Sequence, residues 1–276
     1  MPDIANMKTL SAVLPVALLA RSIHAHCMHI PIPQSSHQPL THTHPPDIFS
    51  KLIVNNTLST DFQYTRDVTD NQNEYTNYLW YKSFPQFGMR CRGCDDLGTK
   101  SPAMVCGRNA FPVLNPQIQT ATVLAGDDIG FHLSGVFDPE DSEEYMTIYH
   151  RGPAYIFLSK LPDGKSELSE YDGSADWFKI GYTGAANSTN WAVEGHKSVN
   201  VTIPATTPPG KYLARIEHFM PDWTYGQSQW FISCAHIEVV GKGGGTPGPL
   251  VKFPGAYDEE DPGKSSRTIW RWRNTH

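Results

Sequence analysis

Hydrophobic and polar residues alternate along several short segments of the chain, and turn-forming residues separate these segments. The alternation runs through "ATVLAGDDIGFHL", "AYIFLSK", "SVNVTIP", "KYLARIEHF" and "QWFISCAHIEVV". Gly, Pro, Asn and Asp cluster between them, and no long stretch carries the period of an amphipathic helix. The pattern predicts an all-β protein, an immunoglobulin-like or fibronectin III-like antiparallel β-sandwich with long loops.

A hydrophobic run near the amino terminus adds an export signal to this picture. Lys8 is followed by an apolar run to Ala20, and the small residue Ala25 closes a site suited to cleavage. A membrane span needs roughly 20 apolar residues, whereas Pro15 interrupts this run. We therefore predict a signal peptide over residues 1–25, a secreted, extracellular protein, and no membrane partner.

Composition agrees with export and argues against nucleic acid as a partner. The 276 residues are 39% hydrophobic and 18% charged, which suits one large domain with a sizeable core. The net charge is -6 and no basic block is present, whereas phosphate binding needs clustered Lys and Arg. Sequons predict glycosylation at Asn55, Asn187 and Asn200. No second domain or internal repeat is recognisable, and we expect a monomer.

Two segments carry motifs beyond the strand pattern. The first is "YMTIYHRGPAYIFLSK", with His150 in a turn before a strand that begins near Ala154, and the second is "YLARIEHFMPDWTYGQSQWFISC", which contains Gln229 and Phe231. Together with "DWFKIGYTGAANSTNW", "VNVTIP", "SPAMVCGRNA" and "FPGAY", these motifs resemble, in the same order, the fungal lytic polysaccharide monooxygenases of auxiliary activity family 9. The resemblance runs from about residue 49 to 263.

The resemblance implies a copper enzyme that oxidatively cleaves β-1,4-glucans such as cellulose at C1, at C4 or at both. Its partners would be the glucan, an external electron donor, and oxygen or hydrogen peroxide. One copper ion per chain would be held by His26, as the first residue of the mature chain, and by His150, which precedes a Gly-Pro pair. Imidazole and amine nitrogens suit Cu(II), and the α-amine must lose its proton to bind.

Other positions of the family's site are altered in this chain. Gln229 matches a glutamine, but Phe231 stands at the axial position where most of the family has tyrosine, so we expect altered redox tuning. A histidine that usually donates a hydrogen bond to bound oxygen is missing near Asp222. Tyr257 in "FPGAY" matches a substrate-facing position, to which Trp223 and Tyr225 are possible additions.

The stretch after His26 also departs from the family, because residues 27–46 precede the strand "IFSKLIVNNT". This segment is either a histidine-rich insertion that binds metal itself or a retained intron, which we favour. Codons TGT for Cys27 and ATG for Met28 would create GTATG, a common fungal intron start, and the codons for Pro46–Asp47 would create a CAG end. The spliced chain would read His-Tyr-Ile-Phe-Ser-Lys-Leu in the same frame.

The intron hypothesis also leaves an even number of cysteines, because removing Cys27 reduces the count from 5 to 4. The resemblance implies a disulfide between Cys106 and Cys234. Cys91 and Cys94 form "CRGC", which could serve as a metal half-site or a redox pair, and we favour a local disulfide because no second Cys pair accompanies them. We assign 26–263 to the catalytic domain and 264–276 to a tail.

Two other functions compete with the copper oxygenase. A non-catalytic copper- or polysaccharide-binding β-sandwich is favoured by Phe231, by the missing histidine and by any real insertion. A glycoside hydrolase would need two carboxylates placed about the scissile bond. No acidic pair, Asp127 and Asp128 included, stands out from ordinary turn residues.

Overall fold

The computed structural model describes residues 48–68, 98–134, 147–221 and 228–257, together with the strand backbone of 78–80. All of them belong to one compact unit, Thr41–His276. The predicted signal peptide, the segment 27–46, the "CRGC" cysteines and the predicted tail lie outside the described residues. Among the residues that are described, no helix is long and apolar enough to span a bilayer.

Strands make up nearly all the regular structure of the described chain, as the alternation predicted. One helical turn, α1, is Ala103–Cys106, and short 3-10 turns lie at Gly98–Lys100 and Leu168–Glu170. The strands are β1 (Lys51–Val54), β2 (Thr57–Leu58), β3 (Tyr78–Trp80), β4 (Ala121–Leu124), β5 (Asp128–His132), β6 (Ala154–Lys160), β7 (Trp177–Thr183), β8 (Ser198–Thr202), β9 (Gly210–Met220), β10 (Gln229–Val240) and β11 (Leu250–Val251).

Two sheets form a sandwich. The smaller sheet has the strand order β2-β1-β5-β8, and the larger has the order β11-β7-β6-β9-β10-β3. β4 also joins the larger sheet, in a parallel pairing with β10, whereas the other described strand pairs are antiparallel. The predicted β-sandwich is confirmed, with one parallel pair that the sequence did not indicate.

The segment "ATVLAGDDIGFHL" forms two strands in different sheets, although the sequence suggested one alternating run. β4 belongs to the larger sheet and β5 to the smaller, so the chain crosses between the sheets in the turn that joins them. Gly126 has a φ of +105° in this turn, a conformation that glycine adopts without steric penalty. Its N–H donates to the Ile203 carbonyl, and the Ile203 N–H donates to the Asp127 carbonyl, which fixes the crossing to the end of β8.

Apolar side chains from both sheets fill the space between them. Burying one such side chain completely stabilises the fold by about 1.5–3 kcal/mol. The inward-facing residues that are 1% exposed or less include Leu52, Ile129 and Phe131 from the smaller sheet and Ile156, Ile216, Phe231 and Ala235 from the larger.

The outer face of the larger sheet is covered as well, so that β9 is buried on both sides along most of its length. α1 and the segment around Phe253 lie over this face. The disulfide between Cys106 and Cys234 fastens α1 to β10, which is the pairing that the family resemblance implied. Because it joins residues 128 positions apart, the cross-link restricts the unfolded chain by roughly 4–5 kcal/mol on loop-entropy grounds.

A buried histidine in this outer layer accepts a hydrogen bond from a buried arginine. Arg66 Nε donates to His236 Nε2 at 3.0 Å, and Arg66 Nη2 donates to the carbonyls of Leu168 and Tyr171 at 2.8 and 2.6 Å. Burial, and then the charge of Arg66, lower the pKa of His236 from 6.5 to about 3. Burial also lowers the pKa of Arg66, but only to about 10. At neutral pH the arginine is therefore charged and the histidine is neutral.

The lowered pKa of His236 predicts a loss of stability in acid. In the unfolded chain the imidazole takes up a proton below about pH 6.5, whereas in the folded chain it stays neutral down to about 3. The stability that depends on the neutral His236 imidazole is therefore fully present above the pKa of the unfolded chain. As the pH falls below that value, the free energy of unfolding declines by roughly 1.4 kcal/mol per pH unit. His236→Gln keeps an acceptor for Arg66 but does not titrate.

Urea unfolding at about pH 7 and about pH 4.5 measures this contribution through the change in unfolding free energy. The wild type should lose more stability between the two conditions than His236→Gln does. Equal losses would show that His236 takes up its proton as readily in the folded chain as in the unfolded one.

Candidate metal centre

His150 lies in a turn before β6, and β6 begins at Ala154 as the sequence predicted. Backbone hydrogen bonds fasten this turn to the loop that precedes β8. The Ile148 N–H donates to the His196 carbonyl at 2.7 Å, and the Gly195 N–H donates to the Ile148 carbonyl at 2.9 Å. The backbone that carries the half-buried His150 is therefore fixed on one side.

Arg151 adds side-chain contacts to the same loop. Its Nε lies 3.4 Å from a carboxylate oxygen of Glu194. Its Nη2 donates to the carbonyl of Thr189. Because both charged groups are exposed to solvent over a third or more of their surface, the ion pair itself contributes little stability. The two contacts nevertheless hold the loop of residues 184–196 against the His150 turn.

The Gly-Pro pair that follows Arg151 packs directly on β9. The Phe219 N–H donates to the Pro153 carbonyl at 3.0 Å. A side chain at Gly152 would collide with the carbonyl oxygen of Phe219 and with Pro221. Only glycine allows the two backbones to approach this closely, which gives a physical reason for the sequence His-Arg-Gly-Pro at this point.

The ring of His150 packs on Phe231 of β10, with 4.4 Å between ring centroids and an interplanar angle of 31°. Phe231 is 0% exposed. On the neighbouring strand His218 pairs directly with Phe231, and its ring centroid lies 5.6 Å away. Phe49, just before β1, contacts His218 edge-on at 6.5 Å. We call these four residues, His150, Phe231, His218 and Phe49, the His150 cluster.

Gln229 is the first residue of β10 and is half-buried. Side chains two residues apart on a strand share a face, so Gln229 projects from the same face of the sheet as Phe231. It therefore brings an amide group to the face on which the His150 ring packs. His150, Gln229 and Phe231 are far apart in the chain, and the fold brings them to one end of the sandwich.

Tyr257 lies against the opposite face of the larger sheet. Its hydroxyl donates to Glu217 Oε1 at 2.6 Å, and Glu217 Oε2 lies 2.7 Å from Arg215 Nη1. Burial, and then the charge of Glu217, raise the pKa of Tyr257, so its hydroxyl stays protonated and acts as a donor. The ring is half-buried and packs on Phe253 at 5.8 Å. These contacts give Tyr257 a role in packing, and its substrate-facing role stays a prediction.

The other predicted site residues are either exposed or outside the described residues. Asn55, Asn187 and Asn200 are exposed, as glycan acceptors must be. The residues of which the structure describes nothing are His26, Cys91, Cys94, Asp222, Trp223 and Tyr225.

Sequence patterns did not single out His218 as part of this cluster. It stands on β9 at an inward-facing position, in line with Tyr212, Ala214 and Ile216. The sequence signal that could have pointed to His218 was an imidazole among apolar, inward-facing residues. Only the register of β9 on β10, however, places it opposite Phe231.

Copper suits the chemistry of His150 but needs ligands beyond the described residues. An imidazole nitrogen is a good ligand for Cu(II), whereas Phe231 offers no ligand atom. Within the part of the chain that the structure describes, no three His, Cys, Asp or Glu side chains lie together. The α-amine and imidazole of His26 are the predicted source of two further nitrogens, and with them the donor set fits copper.

Two solved structures share the fold of this chain. HiLPMO9B superimposes with a TM-score of 0.57 at 20% identity, covering 79% of this chain and 89% of that chain. A cellulose-active polysaccharide monooxygenase from M. thermophila gives a TM-score of 0.55 at 20% identity, with the same coverage. At this identity the likeness shows the fold, which is the β-sandwich of the lytic polysaccharide monooxygenases.

Sequence comparison assigns the family. Residues 47–275 match Auxiliary Activity family 9 (formerly GH61). The chain is 39% identical over 216 residues to AA9 family lytic polysaccharide monooxygenase U of Thermothielavioides terrestris, covering 77% of each chain. It is 32% identical over 228 residues to AA9 family lytic polysaccharide monooxygenase H of Malbranchea cinnamomea, covering 80% of this chain and 84% of the relative.

The chain therefore belongs to auxiliary activity family 9. Its class is that of the copper-dependent monooxygenases that cleave polysaccharides with an electron donor and oxygen or hydrogen peroxide, and fungal members are generally secreted. The family match begins at residue 47, directly after the segment 27–46, and extends to residue 275. The tail after Gly263, for which the motifs suggested no counterpart, thus falls largely within the family match.

Proposed function

We propose that this protein is a secreted copper monooxygenase that cleaves β-1,4-glucans such as cellulose at C1, at C4 or at both. The observation that carries the proposal is the His150 cluster, in which a rigid turn holds the imidazole of His150 on Phe231 at 4.4 Å. Membership of an oxidative family favours this reaction over glycoside hydrolysis.

His26 and His150 are the proposed ligands of a single copper ion. His26 contributes its α-amine and its imidazole, which requires cleavage of the signal peptide after Ala25. Copper, when bound, supplies the one-electron chemistry that lets oxygen or peroxide remove a hydrogen atom from the glucan. The Gly152 contact with β9 and the loop contacts of Arg151 hold the His150 ring in place for this role.

The position of Phe49 supports a short path from the mature amino terminus to the cluster. Phe49 touches His218, and the Ile48 carbonyl accepts a hydrogen bond from the Ser134 N–H at 2.8 Å. If residues 28–46 are intron-derived, His26 stands two residues before Ile48. Two residues span at most about 7 Å, so the terminal amine would lie close to the cluster.

Gln229 and Phe231 take different parts in the proposed reaction. With copper bound, the Gln229 amide would offer a hydrogen bond to the oxygen or peroxide that reacts there, and preorganised donors of this kind have large effects on rate. The Phe231 ring provides no oxygen atom and instead packs beside the His150 ring, where it excludes water. The buried imidazole of His218 touches Phe231 and is a further polar group of the cluster.

A non-catalytic copper- or polysaccharide-binding protein is the second proposal. It is supported by the fully buried Phe231, since most of the family has tyrosine at this position and a phenylalanine ring offers no ligand atom to a metal. Secretion, a disulfide between Cys91 and Cys94, and glycans on Asn55, Asn187 and Asn200 are compatible with both proposals.

We predict that the natural mature chain begins with His26 and continues, after one residue, into the "IFSKL" strand. Sequencing the messenger RNA tests this directly, and the mass of the secreted protein provides a second measurement. A transcript that keeps the codons for residues 28–46 would refute the intron. The proposed copper site of His26 and His150 would then carry a longer amino-terminal arm.

Replacing His150 with Ala should weaken copper binding by roughly two orders of magnitude or more, because one of three nitrogen ligands is lost and the site is left open. Calorimetry measures the affinity. His196→Ala, which changes an exposed histidine on the neighbouring loop, is the matched control and should bind copper as the wild type does. Tight binding in His150→Ala would instead assign the metal to the histidines of the segment 27–46.

Copper-loaded mature protein, supplied with reductant and peroxide, should release oxidised oligosaccharides from a β-1,4-glucan. Gln229→Ala should lower the rate by roughly 100- to 1,000-fold while sparing copper affinity, because one preorganised hydrogen-bonding group is lost. Phe231→Tyr should shift the copper spectrum with only a modest change in rate. Gln117→Ala, at an exposed glutamine elsewhere, is the control and should act as the wild type does.

Mass spectrometry of the products decides between the functions. Correctly processed, copper-loaded protein that forms no oxidised ends on any glucan would support the non-catalytic binding function. Unmodified reducing ends that appear without reductant would point to hydrolysis.

A further inference from the structure

The outer face of the smaller sheet carries a row of four residues that runs straight across its four strands. Leu58 of β2 pairs with Ile53 of β1, and Ile53 pairs with Gly130 of β5. Gly130 pairs in turn with Asn200 of β8. Side chains that are directly opposite each other share one face of a sheet. The residues next to them along β1, β5 and β8 fill the core, so this row faces away from the larger sheet. We call these four residues the outer row.

The outer row is apolar at one end and carries a glycosylation sequon at the other. Leu58 is 46% exposed and Ile53 is half-buried. Asn200 is exposed and begins the sequon Asn200-Val201-Thr202. A single exposed leucine is ordinary on a protein surface. Here, however, the apolar surface continues from Leu58 to Ile53 in line with the residue to which a glycan would be attached.

Gly130 leaves a space in the middle of the outer row, and the Asn200 side chain occupies it. A Cβ atom at Gly130 would collide with Asn200 Oδ1 and would lie 3.1 Å from Ile53 Cδ1. The φ of Gly130 is not in the left-handed region, so its backbone does not require glycine. Glycine inside a strand often marks a place that another group approaches closely. The Asn200 amide therefore lies over Gly130 and extends along the outer row towards Ile53.

This orientation gives an attached glycan its direction. An N-glycan is bonded to the asparagine amide nitrogen, which shares a carbon atom with Oδ1. The first sugar would therefore leave from the space over Gly130. Neighbouring strands are about 4.8 Å apart, so the backbone of Ile53 lies about 10 Å from that of Asn200, and Leu58 lies about 14 Å away. The two N-acetylglucosamine units that begin an N-glycan are long enough to cover both apolar side chains.

We propose that Ile53 and Leu58 form a binding site for the N-glycan on Asn200, and that the C–H-rich faces of its first N-acetylglucosamine units pack along the outer row. The inference rests on the proposed function only for secretion, which exposes the chain to glycosylation. A free sugar would bind so small an apolar surface weakly, but a tethered sugar is present at a high effective concentration. Removing apolar surface from water stabilises the folded chain, and the unfolded chain has no such row.

Melting temperatures of copper-free protein made with and without glycans test the proposal. The same coding sequence is secreted from a fungal host, which adds glycans, and exported to a bacterial periplasm, where the disulfide forms without them. Each pair has the same polypeptide, so the difference within a pair reports the glycans alone. The wild type should melt roughly 2–4 °C higher with glycans than without.

Four variants locate the source of this difference. Asn200→Gln removes the attachment point and should abolish it. Gly130→Ala keeps the sequon but displaces the Asn200 amide, and Ile53→Thr replaces the apolar contact with a polar one. Each of these two should reduce the difference to less than about half, because neighbouring groups that share a contact are coupled. Thr189→Ala removes the glycan of Asn187 instead and is the matched control, which should keep the whole difference.

Mass spectrometry of glycopeptides shows whether Asn200 carries a glycan in each secreted protein. An unoccupied Asn200 in the wild type, or equal melting temperatures for its two forms, would overturn the proposal. A full difference in Gly130→Ala and Ile53→Thr with Asn200 occupied would show that the glycan does not pack on the outer row. A difference that disappears in Thr189→Ala would assign the effect to Asn187 and would equally contradict the proposal.

The glycan site and the oxygenase function fail in different ways. If copper-loaded protein forms oxidised ends but its two forms melt at the same temperature, the glycan site is wrong and the proposed function stands. If the difference depends on the outer row but no oxidised ends form with reductant and peroxide, the glycan site stands and the oxygenase function is wrong.

Discussion

The antiparallel pairing of β9 with β10 is the interaction on which the rest of the structure depends. Its register is continuous over 11 residue pairs. Because side chains alternate between the faces of a strand, this register sends Phe231 and His218 into the space between the sheets and Cys234 and Glu217 to the outer face. A shift of β9 by one residue would put the Glu217 carboxylate into the apolar core, and a shift of β10 by one residue would remove Phe231 from His150.

The outer face tolerates buried charge because each charged group has partners. Arg215 pairs with Glu217, and it also donates to the carbonyls of Met104 and Val105 at 2.8 Å, which belong to α1 and have no partner within so short a helical turn. Its guanidinium group lies 3.9 Å from the centroid of the Phe253 ring. One arginine thus joins α1, β9 and the segment after β11, and losing either member of the ion pair would leave an uncompensated buried charge.

Local alternation was enough to predict β6, β8, β9 and β10, although it joined β4 and β5 in one run. The motifs singled out His150, Gln229 and Phe231, which the fold brings to one end of the sandwich. The patterns did not reveal which residues the outer layer covers, because that layer is built from segments far apart in the chain. Tyr257 was therefore expected at the surface although its hydroxyl lies against Glu217. His218 was missed because its contact with Phe231 depends on the register between two strands, which the sequence pattern does not reveal.

The loop that anchors the His150 turn also carries a sequon, and this affects how the protein should be produced. The Asn187 side-chain oxygen accepts hydrogen bonds from the Thr189 and Asn190 N–H groups at 2.9 Å, whereas a glycan is attached through the amide nitrogen. A glycan there stands on the loop that Arg151 holds beside His150. Hosts that add large mannose chains would crowd this end of the molecule, and batches with identical polypeptide would then differ in how easily a polysaccharide reaches it.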